Sequence, residues 1–406
     1  MEQWRQDRLI DILDTLIDYR GKTPNKVDCG IPLITAKIVK NGRIDTPTEF
    51  LPTEDYNGWM VRGFPQVGDV VLTTEAPLGE VAQLTDEKIA LAQRIVCLRG
   101  KEGVLDNTYL KYFFLSNIGQ NRLKARETGT TVTGIKQSEL KEILIDYPKI
   151  DTQKAIASVL SSLDSKIELN RRINDNLEQQ AQALFKAWFV DNPKPNWSET
   201  TFSEVANFIG GYSYKGEELT DSSNIAMVTI KNFGRNGGFK ADGFKGIAPF
   251  VKLKECHYAN LFDILVAHTD LTQNADVIGN AELLLTYGRY DSIIFSMDLV
   301  KVLPKNNFPY RFLLAAMLKN KIFKGHCLGY VNGTTVLHLS KKALPNFEVK
   351  IPPKAEAKTM NDAFAPYYQR MAEVLQENDR LIHLRDTLLP KLMSGEFNIN
   401  AKSRLQ

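Results

Sequence analysis

The sequence predicts an α+β fold in which two similar globular domains are separated by two long helices. Short motifs recur after roughly 200 residues, β-branched runs alternate with turn residues inside each repeat, and each repeat precedes a segment with coiled-coil periodicity. We expect a first globular domain at residues 1–150, a long helix at 151–192, a second globular domain at 193–352, and a second long helix with a C-terminal tail at 353–406.

The internal repeat is a series of short matches that occur in the same order in both halves. They are Trp4 with Trp197, Leu9–Leu13 with Phe202–Ala206, Arg20–Pro24 with Gly210–Tyr214, Pro32–Lys37 with Ala226–Lys231, Gly68–Leu72 with Phe262–Val266, Gly129–Val132 with Gly333–Val336, and Tyr147-Pro148 with Ile351-Pro352. Each match is weak alone, but their common order indicates a duplicated unit. The stretch Thr269–Asn280 matches Thr74–Ala82 poorly, so the loop of the second domain cannot be predicted from the first.

Within each half the pattern is that of a mixed α+β domain. The runs Asp69–Thr73, Arg94–Leu98 and Leu299–Leu303 are rich in β-branched residues and predict strands. Residues 108–117 and 309–319 predict helices.

The two long segments have apolar residues spaced by fours and threes, which predicts two helices that pair as a coiled coil. The seam of the first is Ile156, Leu160, Leu163, Ile167, Asn170, Asn174, Leu177, Ala181, Leu184 and Trp188, and that of the second is Met360, Phe364, Tyr367, Met371, Val374, Asn378, Leu381, Arg385, Leu388 and Leu392. At ~1.5 Å per residue the first helix would be roughly 55–60 Å long. We expect Pro366 to kink or delay the second helix, and Pro390 and Gly395 to mark its end.

Three asparagines, Asn170, Asn174 and Asn378, interrupt the two seams near their middles. Buried asparagines at seam positions fix the register of a coiled coil at some cost in stability. The alternative is that they are exposed polar breaks in an imperfect amphipathic pattern. If the two helices pair with each other, they form a rigid spacer between similar domains. Such a spacer suits DNA half-sites at fixed separation, but it equally suits a scaffold that gathers partner helices.

Composition and motifs exclude several classes of protein. No apolar run is long enough for a transmembrane helix and the N-terminus does not resemble a signal peptide, so we expect a cytoplasmic protein without membrane contact. The cysteines, Cys29, Cys97, Cys256 and Cys327, are far apart and predict isolated reduced thiols. The net charge of +3 neither requires nor excludes a nucleic-acid partner.

No catalytic or metal-binding motif is recognisable, so we expect neither an enzyme nor a cofactor in this chain. A phosphate-binding loop and a dinucleotide fingerprint are both missing from the sequence, and the five histidines lack metal-ligand spacing. Residues 192–195, Asn-Pro-Lys-Pro, are better read as a linker than as a methyltransferase motif. The Glu-x-Lys triplets at Glu139 and Glu348 could belong to a nuclease, but such triplets are expected by chance in a chain that is 24% charged.

DNA binding would use basic side chains for phosphates and polar side chains for base edges. The candidates near predicted loops are Lys22, Thr23, Lys37, Lys40, Arg43, Lys124, Arg126, Thr130, Thr131, Thr133 and Lys136 in the first half, and Tyr212, Lys215, Lys231, Arg235, Lys240, Lys245, Thr334, Thr335 and His338 in the second. The repeat singles out Lys37 with Lys231 and the two Gly-Thr-Thr motifs. Gly-Thr-Thr is as often a turn or a helix cap as a phosphate cradle, and single lysines are usually solvated.

Three stretches resemble the specificity subunits of type I restriction–modification systems. Leu184–Asp191 is similar to the end of the central helix of that family, Leu388–Glu396 to the end of its distal helix, and Gly129–Lys154 to the segment that leads into the central helix. The resemblance covers essentially the whole chain.

The resemblance implies that each globular part is a target recognition domain that reads half of a split DNA sequence. The helices would form an antiparallel coiled coil that sets the half-site spacing and docks two methyltransferase subunits. Those subunits would carry S-adenosylmethionine and methylate adenine, and restriction subunits with ATP and Mg²⁺ would join them. The alternatives are an assembly scaffold that does not touch DNA, and an enzyme with an unrecognised site.

Overall fold

The computed structural model describes residues 4–19, 21–86, 88–129 and 133–397. They divide into two compact units. Unit 1 lies within residues 1–166 and 381–406, and unit 2 comprises residues 167–380. Each long helix contributes one part to each unit, because the first crosses residue 166 and the second crosses residue 380.

Unit 1 combines small, mostly antiparallel sheets with short helices. Its strands are β1 Arg5–Arg8, β2 Leu13–Asp18, β3 Ile31–Ile34, β4 Val39–Lys40, β5 Arg43–Ile44, β6 Phe50–Leu51, β7 Val70–Thr74, β8 Leu78–Gln83, β9 Ala90–Leu91, β10 Ile95–Gly100 and β11 Leu144–Tyr147. Its helices are α1 Leu9–Ile12, α2 Tyr56–Trp59, α3 Asn107–Leu115, α4 Asn117–Lys124, α5 Gln137–Lys141 and the start of α6 Ile150–Phe185.

The main sheet of unit 1 has the strand order β2-β10-β7-β8, with every neighbouring pair antiparallel. Helix α3 is capped at its N-terminus by Asp106, whose side chain accepts a hydrogen bond from the Tyr109 amide. Its buried face packs on the sheet in the same hydrophobic cluster as the first turns of α6. Gln153, which is fully buried in α6, accepts from the Asp106 amide at 2.9 Å, so the start of the long helix is tied to the cap of α3.

Unit 2 is built in the same way. Its strands are β12 Ser198–Thr201, β13 Ala206–Gly210, β14 Ile225–Val228, β15 Lys245–Gly246, β16 Tyr258–Ala259, β17 Ile264–Ala267, β18 Thr269–Asp270, β19 Ala281–Leu283, β20 Ser292–Phe295, β21 Leu299–Pro304, β22 Val331–Asn332, β23 Leu337–Leu339 and β24 Glu348–Ile351. Its helices are the remainder of α6, which continues as a π-helix over Lys186–Asp191, with α7 Arg311–Leu318, α8 Lys321–Leu328 and most of α9 Lys354–Met393.

The predicted duplication is confirmed by the strand topology. The sheet β13-β21-β17-β19 of unit 2 repeats the order of the main sheet of unit 1. The entry strand β1 pairs with β11, which leads into α6, and β12 pairs with β24, which leads into α9. The parallel pair β3–β9 likewise has its counterpart in β14–β20. Each unit is therefore one copy of the same α+β domain with part of the helix pair.

Within each unit the two long helices are antiparallel. In unit 1, Asp164 of α6 contacts Arg385 of α9. In unit 2, Asn170 contacts Asn378, and Trp188 packs edge-on against Phe364 at 5.6 Å. Residue numbers rise along one helix as they fall along the other, which defines the antiparallel direction.

The second helix differs from the sequence prediction at its prolines. We expected Pro366 to kink or delay its start, but α9 begins at Lys354 and runs through Pro366 to Met393. Pro366 lies on the exposed side of the helix, where water can satisfy the carbonyl that loses its partner. The helix also continues past Pro390, and Gly395, with a φ of +74°, follows its end as a C-terminal glycine commonly does. Among the described residues, no helix combines the length and apolar content needed to cross a bilayer.

Candidate nucleic-acid interface and helix pair

Each unit brings two polar loops together at the end of one strand of its main sheet, which is β7 in unit 1 and β17 in unit 2. We call this arrangement the loop pair. In unit 1 the turn at residues 75–77 follows β7 and meets the backbone at residues 134–135. Glu75 forms a β-bridge with Gly134, and the Ile135 amide donates to the Thr74 carbonyl at 2.9 Å. Thr130 and Thr131, two of the predicted DNA contacts, lie outside the described residues, whereas Thr133 is exposed at the edge of this loop pair.

The loop pair of unit 2 has the equivalent hydrogen bonds. The Leu339 amide donates to the His268 carbonyl at 2.8 Å, and Thr269 is paired with His338 between β18 and β23. Thr334 and Thr335 lie exposed in the turn between β22 and β23. The Gly-Thr-Thr segment of unit 2 therefore lies beside the loop that follows β17.

The loop after β17 is longer than its counterpart, and sequence reasoning did not select any residue in it. Asp270 is buried and accepts from the Thr272 and Val277 amides, both at 2.8 Å, so its carboxylate orders the loop from inside. Gln273 donates to the Thr334 carbonyl at 2.5 Å and joins this loop to the Gly-Thr-Thr turn. The poor match of Thr269–Asn280 to the first repeat was the one available signal that this loop is specific to unit 2.

Two predicted lysines of unit 2 form a basic pair next to its loop pair. Lys231 is the exposed middle residue of a short 3₁₀ turn, and Lys245 lies in β15. Burial, followed by the neighbouring Lys231 ammonium, lowers the pKa of Lys245. The segment that carries them is tied to the loop after β17, because the Asn280 side chain donates to the Gly234 carbonyl at 2.7 Å. Two cations held close together favour an anion such as a DNA phosphate.

The remaining predicted DNA contacts differ in their surroundings. Lys22, Thr23, Lys40, Lys124, Lys136, Lys215 and Lys240 are exposed. Four other candidates form ion pairs with acidic residues. Lys37 lies 3.7 Å from Glu49, Arg43 3.1 Å from Asp45, Arg126 2.9 Å from Glu139, and Arg235 3.7 Å from Asp276.

Tyr212 does not fit the surface role that the sequence suggested. It is only 4% exposed, and its hydroxyl donates to Glu218 at 2.6 Å. Glu218 also accepts from the Lys215 and Phe250 amides, at 2.6 and 2.8 Å. Tyr212 therefore fixes a turn from inside the domain, and we remove it from the candidate surface.

The predicted seam residues lie along the inner face of the helix pair to different depths. Ile156, Leu160, Ile167, Asn170, Met371, Val374 and Asn378 are buried, and Leu163, Asn174, Leu177, Leu184, Leu381 and Leu388 are partly buried. Tyr368, Ala372 and Leu389 are also buried, although the heptad spacing did not select them. The apolar stripe is wider than a two-helix seam because each helix also packs on a globular domain.

Asn170 and Asn378 form a buried polar pair between the helices in unit 2. Asn170 has no solvent exposure and Asn378 is 5% exposed. The Asn170 amide donates to Asn378 Oδ1 at 2.9 Å and to Glu377 Oε2 at 3.0 Å, and Asn378 Nδ2 donates to the Ile167 carbonyl at 3.4 Å. Any shift of one helix along the other would separate these groups and leave buried amides unpaired.

We predict that the two asparagines are energetically coupled. Asn170→Leu alone should destabilise the chain by about 1–3 kcal/mol, because it leaves the buried Asn378 Oδ1 without the Asn170 donor. The double variant with Asn378→Leu should recover at least about 1 kcal/mol of that loss. A double-mutant cycle by urea denaturation measures the coupling, with Asn176→Leu on the exposed side of α6 as the control. Additive effects would show that the pair does not hold the register.

The possible metal ligands and the two Glu-x-Lys triplets can be traced in the regions that the structure describes. No group of three or more His, Cys, Asp or Glu residues there could hold a metal ion. Glu139 and Lys350, from the two Glu-x-Lys triplets, pair instead with Arg126 and Glu199. All four cysteines are free.

Comparison with known proteins agrees with this architecture. The profile of the type I restriction modification DNA specificity domain matches residues 1–179 and 194–389. The type I restriction enzyme MjaIX specificity subunit of Methanocaldococcus jannaschii is 28% identical over 84% of this chain and 79% of its own length. The HindI specificity subunit of Haemophilus influenzae is 24% identical over 68% and 74%.

A solved structure has the same fold. The S subunit of a type I restriction–modification system from M. genitalium superposes with a TM-score of 0.57 and 18% identity, covering 96% of each chain. Two copies of the specificity domain, in a chain whose duplicated units share a pair of long helices, account for nearly its full length. The chain belongs to the specificity subunits of type I restriction–modification systems, the non-catalytic components that recognise DNA sequence.

Proposed function

We propose that this chain reads a bipartite DNA target, with one half-site bound by the loop pair of each unit. The observation that carries the proposal is the duplication of the loop pair with the same backbone hydrogen bonds in both units. The loops themselves differ, since three residues separate β7 from β8 whereas the connection from β17 to β19 is longer and includes β18. A shared frame with different loops suits two half-sites of different sequence.

In this proposal, basic and polar side chains have separate tasks. Lys231, Lys245 and the exposed lysines near the loop pairs neutralise phosphates and orient the domains, whereas polar side chains such as Gln273 and Thr335 are near enough to the loop surface to meet base edges. Each good bidentate base contact would contribute about 1–3 kcal/mol of discrimination.

The helix pair has two further roles in the proposed complex. Its length sets the distance between the half-sites, and its outer surfaces dock two methyltransferase subunits. S-adenosylmethionine would be bound by those subunits, and ATP and Mg²⁺ by the restriction subunits, so that this chain contributes recognition and geometry but no chemical step.

The test is methylome sequencing of a host that expresses this chain with its methyltransferase subunit, against a host that lacks this chain. A bipartite methyladenine motif that depends on the chain is the expected result. If the methyltransferase is active but no such motif is found, the proposal fails and the chain is better described as an assembly scaffold.

The basic pair gives a prediction for DNA affinity. Replacing both Lys231 and Lys245 by alanine should weaken binding about equally for specific and non-specific DNA, because phosphate contacts carry no sequence information. The slope of log affinity against log salt should fall by about 1 for each lysine lost. Fluorescence anisotropy of the complex with the methyltransferase subunit at several salt concentrations measures the slope. Lys350→Ala, which removes an exposed lysine of β24 that pairs with Glu199, is the matched control and should leave the slope unchanged.

A further inference from the structure

Asp164 joins three elements of unit 1 at one carboxylate. It lies in α6, and its Oδ2 accepts from the Tyr112 hydroxyl at 2.6 Å and from the Lys111 ammonium at 3.2 Å, both in α3. Its Oδ1 accepts from Arg385 of α9 at 3.0 Å. Burial alone would raise the pKa of Asp164, but Lys111, Tyr112 and Arg385 together lower it. The carboxylate therefore stays charged and fixes the first helix of the globular domain to both long helices.

Lys319 is the centre of a second charge cluster, in unit 2, and carries the opposite charge to Asp164. It follows α7, and its ammonium pairs with Glu282 of β19 and lies 3.2 Å from Glu178 of α6. The side chains of Lys319, Glu282 and Glu178 are 6%, 4% and 14% exposed. Burial alone would lower the pKa of Lys319, but the charges of Glu178 and Glu282 outweigh it and raise the pKa. The ammonium thus binds the globular domain to α6.

Both clusters lie where a globular domain meets a long helix. The alignment that matches Tyr147 with Ile351 also matches Asp164 with Tyr368. Tyr368 of α9 stacks on Phe312 of α7 at 5.9 Å, as Asp164 contacts α3. In unit 1 the long helix supplies the acid at this junction and the globular domain supplies the base. In unit 2 the junction tyrosine is uncharged, and the acid comes from the other long helix.

We propose that the cluster of Lys111, Asp164 and Arg385 and the cluster of Lys319, Glu178 and Glu282 are positioning keys, which fix the orientation of each recognition domain on the helix pair and thereby sharpen the half-site spacing. This inference rests on the proposed function. The cluster of unit 2 is buried and that of unit 1 is partly buried. Ion pairs in such surroundings add little net stability when compared with apolar packing, but they tolerate only a narrow geometry. Their different charge patterns make each domain specific for its own end of the pair.

The keys act on spacing and leave base reading unchanged, which separates them from residues that touch DNA. Loss of one key lets its domain adopt several orientations, so that targets with spacers one base pair shorter or longer become usable. The bases of both half-sites should be unaffected, since none of the six side chains belongs to a loop pair.

The test uses the complex with the methyltransferase subunit on a target library that contains both half-sites and spacers of randomised length. Glu178→Gln and Arg385→Gln each remove one charge of a key with little change in size. We expect methylation of the neighbouring spacer lengths to rise about tenfold relative to the preferred length, with unchanged half-site bases. Asp164→Glu, which keeps the charge, should restore part of the selectivity that Asp164→Asn loses.

Several outcomes distinguish the inference from simpler explanations. Asp362→Asn, which breaks an exposed pair with Lys358, should leave the spacer profile unchanged. Wild-type spacer profiles in both Glu178→Gln and Arg385→Gln would overturn the keys, and so would altered half-site bases. If a variant fails to fold, the other key still decides the question. A wild-type complex without any bipartite motif would refute the proposed function itself, separately from the keys.

Discussion

Replacement of Lys319 by methionine is expected to lower the free energy of unfolding by about 3–5 kcal/mol, the usual cost of removing one partner from a buried ion pair. Methionine fills similar space, so the loss would come from charge and not from packing. It would leave Glu282 with the Gly238 amide as its remaining hydrogen-bond donor, at 2.6 Å, while Glu178 would lose its ammonium. Both carboxylates would have to be buried without a cation or take up a proton.

The measurement is urea denaturation followed by tryptophan fluorescence in a background with Trp4→Phe and Trp59→Phe, so that Trp188 and Trp197 report on unit 2. The matched control is Lys358→Met, because Lys358 pairs with Asp362 on the exposed surface of α9 and should not shift the transition. A loss below about 1 kcal/mol would contradict the prediction. Lys319, Glu178 and Glu282 line a cleft of about 910 Å³. A small loss of stability would then mean that water in this cleft solvates the two carboxylates.

Elements with a strong periodic signal could be predicted from the sequence, because their pattern is imposed by burial. The heptad spacing predicted α6 closely, and the order of the repeated motifs anticipated the duplicated sheets. The run at Leu299–Leu303, which is rich in β-branched residues, became β21, with Leu299, Lys301 and Val302 buried.

The features that could not be predicted from the sequence depend on contacts between distant segments. Pro366 was expected to disturb α9, yet its exposed position makes the lost hydrogen bond inexpensive. Tyr212 looked like a surface aromatic because the buried Glu218 that holds its hydroxyl cannot be recognised from local composition. The positioning keys were missed for the same reason, since Lys111, Asp164 and Arg385 are far apart in sequence and each looks like an ordinary charged residue.

The loops of the candidate DNA-binding surface could also be predicted only in part from the sequence. The two Gly-Thr-Thr segments were found because they repeat, and the structure places that of unit 2 beside the loop that follows β17. Gln273 and Asp270 could not be found in this way, because the loop that carries them is longer than its counterpart in the first half and matches it poorly. If the half-sites differ, the residues that read bases are those at which the two repeats differ. Comparison of the repeats therefore identifies the shared backbone of a recognition site more easily than the residues that give it specificity.

Removal of one heptad from each long helix should have the largest effect on function. Deleting residues 170–176 of α6 together with 372–378 of α9 keeps the apolar periodicity, because seven residues make two turns of a coiled coil. The helix pair would become shorter by about 10 Å at ~1.5 Å per residue, which corresponds to about three base pairs of B-DNA. We expect the preferred spacer to fall by about three base pairs.

Shortening the spacer by that amount also rotates one half-site about the DNA axis relative to the other, by roughly a third of a helical turn. If the complex cannot follow this rotation, methylation should be lost at every spacer length while the chain still folds and binds the methyltransferase subunit. The same randomised-spacer library measures either result, and circular dichroism with size-exclusion chromatography checks folding and assembly. The control replaces exposed Arg172 and Asn176 in the same heptad by alanine without changing the length, and its spacer should equal that of the wild type. An unchanged spacer in the shortened chain would mean that the helices hold the domains without measuring the distance between half-sites, and the spacing would then have to be set by the methyltransferase subunits.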